Sequence, residues 1–201
     1  MARVALGLKA RTGRAIAVAI GGEPPRVIDR AQMRLLPEGA FAPYHVAEAL
    51  APGARQASVD RDVAVAHRLA EQGIRDAIGR LREAGHEVCA CGVLAGAGMP
   101  DWTTDEIVAV HVRMHQAEGK LFRDVLVAGA RACGLAPVAL REKFAIDAAA
   151  SSLGIARDEV EGRLATLGKS AGAPWGKDQK EAALAALAAL PPAVLMTRAR
   201  R

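Results

Sequence analysis

The sequence predicts an α/β chain built on a mixed five-stranded sheet with helices on both faces, and three features carry that expectation. Three strand-like stretches open the chain in close succession, separated by turn residues. Short apolar runs then alternate with long stretches of helical periodicity. A final helical segment is bounded by Pro174 before it and Pro191-Pro192 after it.

Each element follows from its residues. Arg3 to Lys9 reads as a strand, Ala10-Arg11-Thr12-Gly13 as a turn and Ala15 to Ile20 as a second strand, whose unbroken apolar run predicts burial on both faces. Arg26 to Leu36 alternates apolar and polar residues, so a half-exposed edge strand follows. Pro43 to Gly53 reads as a short helix stopped by Pro52-Gly53, and Val59 to Ala84 as a long one with Leu69, Ile74, Ile78 and Leu81 on its apolar face. Glu87 to Ala95 is a strand, broken by Gly96-Ala97-Gly98-Met99-Pro100. Thr103 and Glu106 form a capping box that opens one continuous helix from Asp105 to Cys133, striped by Ile107, Val110, Met114, Leu121 and Val125. Ala136 to Arg141 is a short strand. Helices over Phe144 to Leu153, Asp158 to Leu167 and Gly176 to Leu190 complete the chain, with Gly168, Gly172 and Pro174 as a connection and Trp175 as a packing plug. Residues 1–201 are expected to form one domain with a helical insertion around 143–173.

Composition narrows the function. Hydrophobic residues make up 51% and charged residues 24%, which excludes a disordered chain. Lys and Arg number 27 against 22 Asp and Glu, and the resulting pI near 9.5 favours acidic partners such as nucleic acid. Cys89, Cys91 and Cys133 fit neither a disulfide framework nor a zinc ribbon, so buried thiols in a reducing compartment are expected. Lys9 and Arg11 interrupt any apolar leader and no run approaches a membrane span, so the expected location is cytoplasmic, without membrane contact.

The order β-β-β-α-β-α-β-α matches the ribonuclease-H-like layout, and also half of an actin-like ATPase. Within it, Val4-Ala5-Leu6-Gly7-Leu8-Lys9-Ala10 resembles the opening strand of RuvC-like resolvases, with Lys9 where that family has its first catalytic aspartate. Ala90-Cys91-Gly92 resembles the family's Ala-apolar-Glu, with glycine in place of the acid. Asp178-Gln179-Lys180-Glu181-Ala182 resembles its closing Asp-x-x-Asp-Ala, with the spacing retained. The resemblance thus implies a Holliday-junction-type endonuclease fold that lacks two of four metal-binding acids. Two-metal hydrolysis needs several carboxylates around two hard cations. Lys9, Asp178 and Glu181 together supply a charge of about −1, too little for that chemistry. Since the first strand and last helix are neighbours in the resembled fold, Lys9 is expected beside Asp178 or Glu181. In the bland alternative, the two acids merely favour the helix dipole.

A second candidate cluster is His111, His115 and Glu118, at i, i+4 and i+7 on one helix face, suited to a metal or, with Arg113 and Lys120, a phosphate. Gly168-Lys169-Ser170 imitates a phosphate loop, but Arg163 stands where its first glycine belongs.

The leading expectation is a protein that binds structured or branched nucleic acid, DNA foremost, through Arg11, Arg14 and Arg198, with nuclease activity lost or altered. The alternatives are an active metal-dependent endonuclease using Asp178 and Glu181, and an actin-like nucleotide-binding or non-catalytic interaction scaffold. No cofactor is expected beyond weakly held Mg²⁺ or Mn²⁺. The resemblance also implies a homodimer.

Overall fold

The structure, a computed structural model, describes residues 2–190. Three antiparallel strands come first: β1 (Ala2–Arg11), β2 (Arg14–Gly21) and β3 (Arg26–Arg34). Then follow α1 (Pro43–Glu48), α2 (Pro52–Glu83), β4 (His86–Ala95), α3 (Thr104–Val108), α4 (His111–Ala132) and β5 (Pro137–Arg141). A 3-10 turn at Glu142–Phe144 leads into α5 (Ala145–Leu153), α6 (Arg157–Ala171) and α7 (Lys177–Ala189). The sheet order is β3-β2-β1-β4-β5, with β4 parallel to both β1 and β5. This is the mixed five-stranded sheet expected of the layout.

Strand parity divides the core. Side chains alternate across a sheet with period two, so Val4, Leu6 and Leu8 of β1 pack with Ala15, Ala17 and Ala19 of β2 against Ile74 of α2 and Phe122 and Leu126 of α4. The intervening Ala5 packs with Ile16, Val18 and Ile20 against Val160 of α6 and Ala182, Ala186 and Leu187 of α7. The register Leu6 to Ala19 and Lys9 to Ile16 keeps these sets apart. Lys9 therefore faces α7 by parity alone.

On that face α7 lies almost directly on the backbone of β1 and β4. A Cβ on Gly7 would sit 2.5 Å from the Ala186 nitrogen and would overlap the Ala182 carbonyl, and one on Gly92 would come within 2.7 Å of the Ala185 carbonyl carbon. Gly7 and Gly92 are partners in the parallel ladder, so the two absent side chains open one continuous trough. Small residues on the helix complete the fit: Ala182, Ala183, Ala185 and Ala186 are all fully buried.

Several local expectations are corrected. Pro52-Gly53 does not stop a helix; Pro52 opens α2, where its missing N–H costs nothing. The helix expected over Asp105 to Cys133 is broken, because Val110 is extended (φ −139°, ψ 112°) between α3 and α4. No glycine or proline marks this break. Packing makes it: Ile107 and Val108 dock with Ala47, Val59 and Met114, which turns α3 out of line and leaves Val110 exposed. The Arg113 guanidinium donates to the freed Glu106 carbonyl at 3.0 Å. Gly168 lies inside α6 and not in a connection; its lack of a side chain seats Trp175, whose ring nitrogen donates to the Leu164 carbonyl at 3.2 Å. Lys169 and Ser170 are likewise helical, which removes any phosphate loop there.

The close seat of α7 yields a test. Gly7→Ala should destabilise the protein by at least the ~1–3 kcal/mol usual for overpacking, because a helix backbone has to move. Gly79→Ala, in the middle of α2 with nothing within 4 Å of the added carbon, should instead stabilise by up to ~1 kcal/mol. Urea denaturation of both variants checks the contrast.

Candidate functional site

The polar residues at the N-terminal end of α7 meet the end of β1. The helix rises about 1.5 Å per residue and a strand about 3.3 Å, so Asp178 and Glu181, about 4.5 Å apart along α7, stand near enough to Lys9 and Arg11, about 6.6 Å apart along β1, for long basic side chains to reach both. The running directions are opposite: Ala182 lies over Gly7, Glu181 pairs with Lys9, and Asp178 pairs with Arg11.

Lys9 is the buried centre of this cluster, its side chain 5% exposed. Its ammonium meets Glu181 Oε2 at 2.9 Å and donates a hydrogen bond to Glu142, the first residue of the 3-10 turn after β5. The contact to Glu181 is an ion pair without good hydrogen-bond alignment, since Oε2 is buried and accepts no hydrogen bond among the described residues. A buried ammonium requires such partners. Sequence reasoning missed Glu142. No local pattern marks it, for it reaches the site only because β5 runs parallel to β4 and ends at the same edge.

Arg11 donates through Nε to Asp178 at 2.9 Å. That hydrogen bond, reinforced by the charges of Arg11, Lys9 and Arg14, holds the Asp178 carboxyl below its ordinary range despite partial burial. Arg123 approaches from α4, its guanidinium tucked against Gly96, where a Cβ would come within 2.6 Å of it. Burial lowers its pKa, and the charge of Glu142 acts in the opposite direction. All three carboxylates, Glu142, Asp178 and Glu181, thus have a cation in contact.

The register also corrects the matching of β4. Gly92 stands opposite Gly7, two residues before Lys9, and belongs to the trough that seats α7. Further along the same face comes Leu94, buried with Ala145 and Ala185.

The second candidate cluster is elsewhere. His111 and His115, one turn apart at the start of α4, stand with His45 of α1, and no hydrogen bond or ion pair among the described residues joins them to Asp178 or Glu181. Glu118 is not beside them on an exposed face but buried behind His45, accepting from its Nδ1 at 2.7 Å. Arg113 is occupied by the Glu106 carbonyl and the Trp102 ring, and Lys120 by Asp124, so neither is free for a phosphate. Arg14 follows Arg11 across the hairpin turn; Arg198 lies outside the described residues. Of the free cysteines only Cys91 is buried, its thiol pushed up to about 12 by burial, and Cys89 and Cys133 are half-buried.

Removing Arg11 should leave a pH signature. The folded-state pKa of Asp178 is depressed, so its pairing stabilises the protein above the unfolded value near 3.8 and is lost as pH falls through the lower folded value. Arg11→Gln should therefore lower stability at neutral pH, with the difference from wild type closing in acid. Lys9→Met should cost less than the ~3–5 kcal/mol of a fully buried broken pair, because Glu142 is 44% exposed. Adding Glu181→Gln should recover part of the loss. Thermal melts across pH, with the double variant, measure both.

No family model matches the chain, and no curated protein matches it in sequence. Solved structures do. The chain is similar to Thermus thermophilus RuvC in complex with a Holliday junction substrate, at 12% identity and a TM-score of 0.51, covering 92% of this chain and 91% of that one. It is similar to another structure of Thermus thermophilus RuvC at the same identity and coverage, with a TM-score of 0.50. Among the described residues no helix is long and apolar enough to cross a membrane. The fold of this chain is the α/β ribonuclease-H-like fold, in the form that RuvC has.

Proposed function

We propose that the chain binds branched or otherwise structured DNA at the end of the sheet where β1, β5 and α7 meet, and that it does so without hydrolysing it by a two-metal route. The observation that carries this reading is the position of the Lys9 ammonium between Glu142 and Glu181. In a ribonuclease-H-like fold, acids at this edge are the natural holders of Mg²⁺ or Mn²⁺. Here each is paired with a protein cation, and a divalent ion approaching Lys9 would be repelled by it. The residues present do not fit a two-metal site.

The remaining positive charge supports binding. Lys9, Arg11, Arg14 and Arg123 surround three acids, and Arg141, Lys143, Lys177 and Lys180 occur at or beside the same strand and helix ends. A cationic edge of this kind draws phosphates and makes affinity depend strongly on salt. Arg11 and Arg14, on the β1–β2 hairpin, are the side chains proposed to touch the backbone of the nucleic acid, with Arg198 as a further contributor. The junction bound by the similar Thermus protein makes a four-way DNA the first substrate to try.

Fluorescence anisotropy with a four-way junction and a linear duplex of equal length tests this. Binding should be measurable at low salt and prefer the junction. Arg11→Gln with Arg14→Gln should weaken it and reduce the log–log salt slope by ~0.9 for each phosphate no longer neutralised. Neither Mg²⁺ nor Mn²⁺ should produce nicking, whereas Lys9→Asp should make the melting temperature respond to both ions. Absence of binding at low salt would defeat the DNA reading. Cleavage by the wild-type chain that disappears with Asp178→Asn would instead establish the second reading, a metal-dependent endonuclease built on Asp178 and Glu181.

A further inference from the structure

Three histidines from two helices converge on the opposite side of the sheet from α7. His111 is the first residue of α4, and His115 follows one turn later, so both rings leave the same helix face. His45 comes from α1, which packs against α4. One ring nitrogen of each lies within 4.8 Å of the others. The His111 and His115 Nε2 atoms are 2.7 Å apart, which requires one to donate and the other to accept.

Behind this trio is an unusual acid. Glu118 is 1% exposed, and His45 is its only hydrogen-bond partner among the described residues, through Nδ1 at 2.7 Å. Lys and Arg provide it no ion pair among the described residues. A carboxylate so deeply buried is costly unless positive charge stands near it. With His45 Nδ1 turned to Glu118, Nε2 is the ring nitrogen not engaged by that carboxylate.

We infer that His45, His111 and His115 bind a divalent transition metal of the borderline, imidazole-preferring class, with Zn²⁺ as the fitting ion. Glu118 is the positioning carboxylate that orients His45 and balances the metal's charge through the ring, an arrangement common behind metal-bound histidines. Tetrahedral coordination at ~2.0–2.1 Å from each nitrogen places ligand atoms about 3.3 Å apart. Reaching that spacing asks for ring movements of ~1 Å, easily made by the exposed His111 and His115. Because both are exposed, water completes the fourth position. The ion ties α1 to the first turn of α4, just past the break at Val110 that places His111 at the helix start. This site is independent of the acids near Lys9 and of the DNA reading.

The full-length chain, stripped with a chelator, provides the test. Titration with Co²⁺ should saturate at one equivalent with d–d absorption of tetrahedral nitrogen and oxygen coordination and no thiolate charge-transfer band. Zn²⁺ should displace Co²⁺ and raise the melting temperature. His111→Ala with His115→Ala, both exposed, should leave the metal-free circular dichroism and melting temperature near wild type and abolish the titration. Glu118→Gln should weaken affinity 10–100-fold without removing the spectrum. Absence of one-equivalent binding, equal affinity in the double histidine variant, or thiolate bands that assign the ion to the cysteines would overturn the inference.

Discussion

The close seat of α7 on the sheet is the constraint from which the rest of this structure follows. Two strand glycines and four helix alanines allow backbone to approach backbone, with Gly7 and Gly92 side by side in the ladder. Helix and sheet usually stand a side-chain layer apart. Removing that layer fixes the helix along its axis as well as its height, since the Ala182 carbonyl and the Ala186 nitrogen must straddle Gly7. The polar first turn of α7 is thereby held against the last residues of β1 within the reach of a single ion pair.

That registration determines which charges meet. Lys9 and Arg11 share the parity of Gly7, so all three face α7, and the long side chains of Lys9 and Arg11 reach Glu181 and Asp178 on its first turn. The outcome is an alternating set of cations and carboxylates where β1, β5 and α7 meet. An ammonium carries one charge and three donors and cannot move between ligands as a hydrated ion does. It stabilises the acids that it contacts. Partial burial makes this arrangement demanding: each charge depends on its neighbour, and a single substitution strands the partner.

The histidine trio depends on a different constraint. Had the helix from Asp105 run unbroken, His111 would lie in its interior and α3 could not fold back onto α1 and α2. Burial of Ile107 and Val108 against Ala47 and Val59 diverts the chain at Val110, and the new helix begins with His111 beside His45. Three residues separated by 66 and 4 positions in sequence therefore share one space. Glu118, whose place at i+7 suggests a ligand on the same exposed face, is instead the inner member, because the apolar stripe of Met114, Leu121 and Val125 turns it inward.

Periodicity and turn chemistry alone were sufficient for the sheet. The period-two pattern of the third strand, the apolar run of β2 and the long helices identified the elements, and their order left few topologies open, because connections are short and right-handed. The Asp-x-x-Glu spacing of α7 and the lysine at the end of β1 stood out through their resemblance to RuvC-like resolvases, whose motifs are local. Other features are not local. The break at Val110 has no glycine or proline to announce it, and Pro52 marks a beginning or an end according to what packs around it. Glu142 and His45 carry no motif and acquire their partners only when parallel strands and neighbouring helices bring distant segments together. Sequence by itself determined which side chains each element presents on each face; tertiary packing decided which of those faces meet, because close contact depends on volumes and on the absent side chains of Gly7 and Gly92, which no linear pattern encodes.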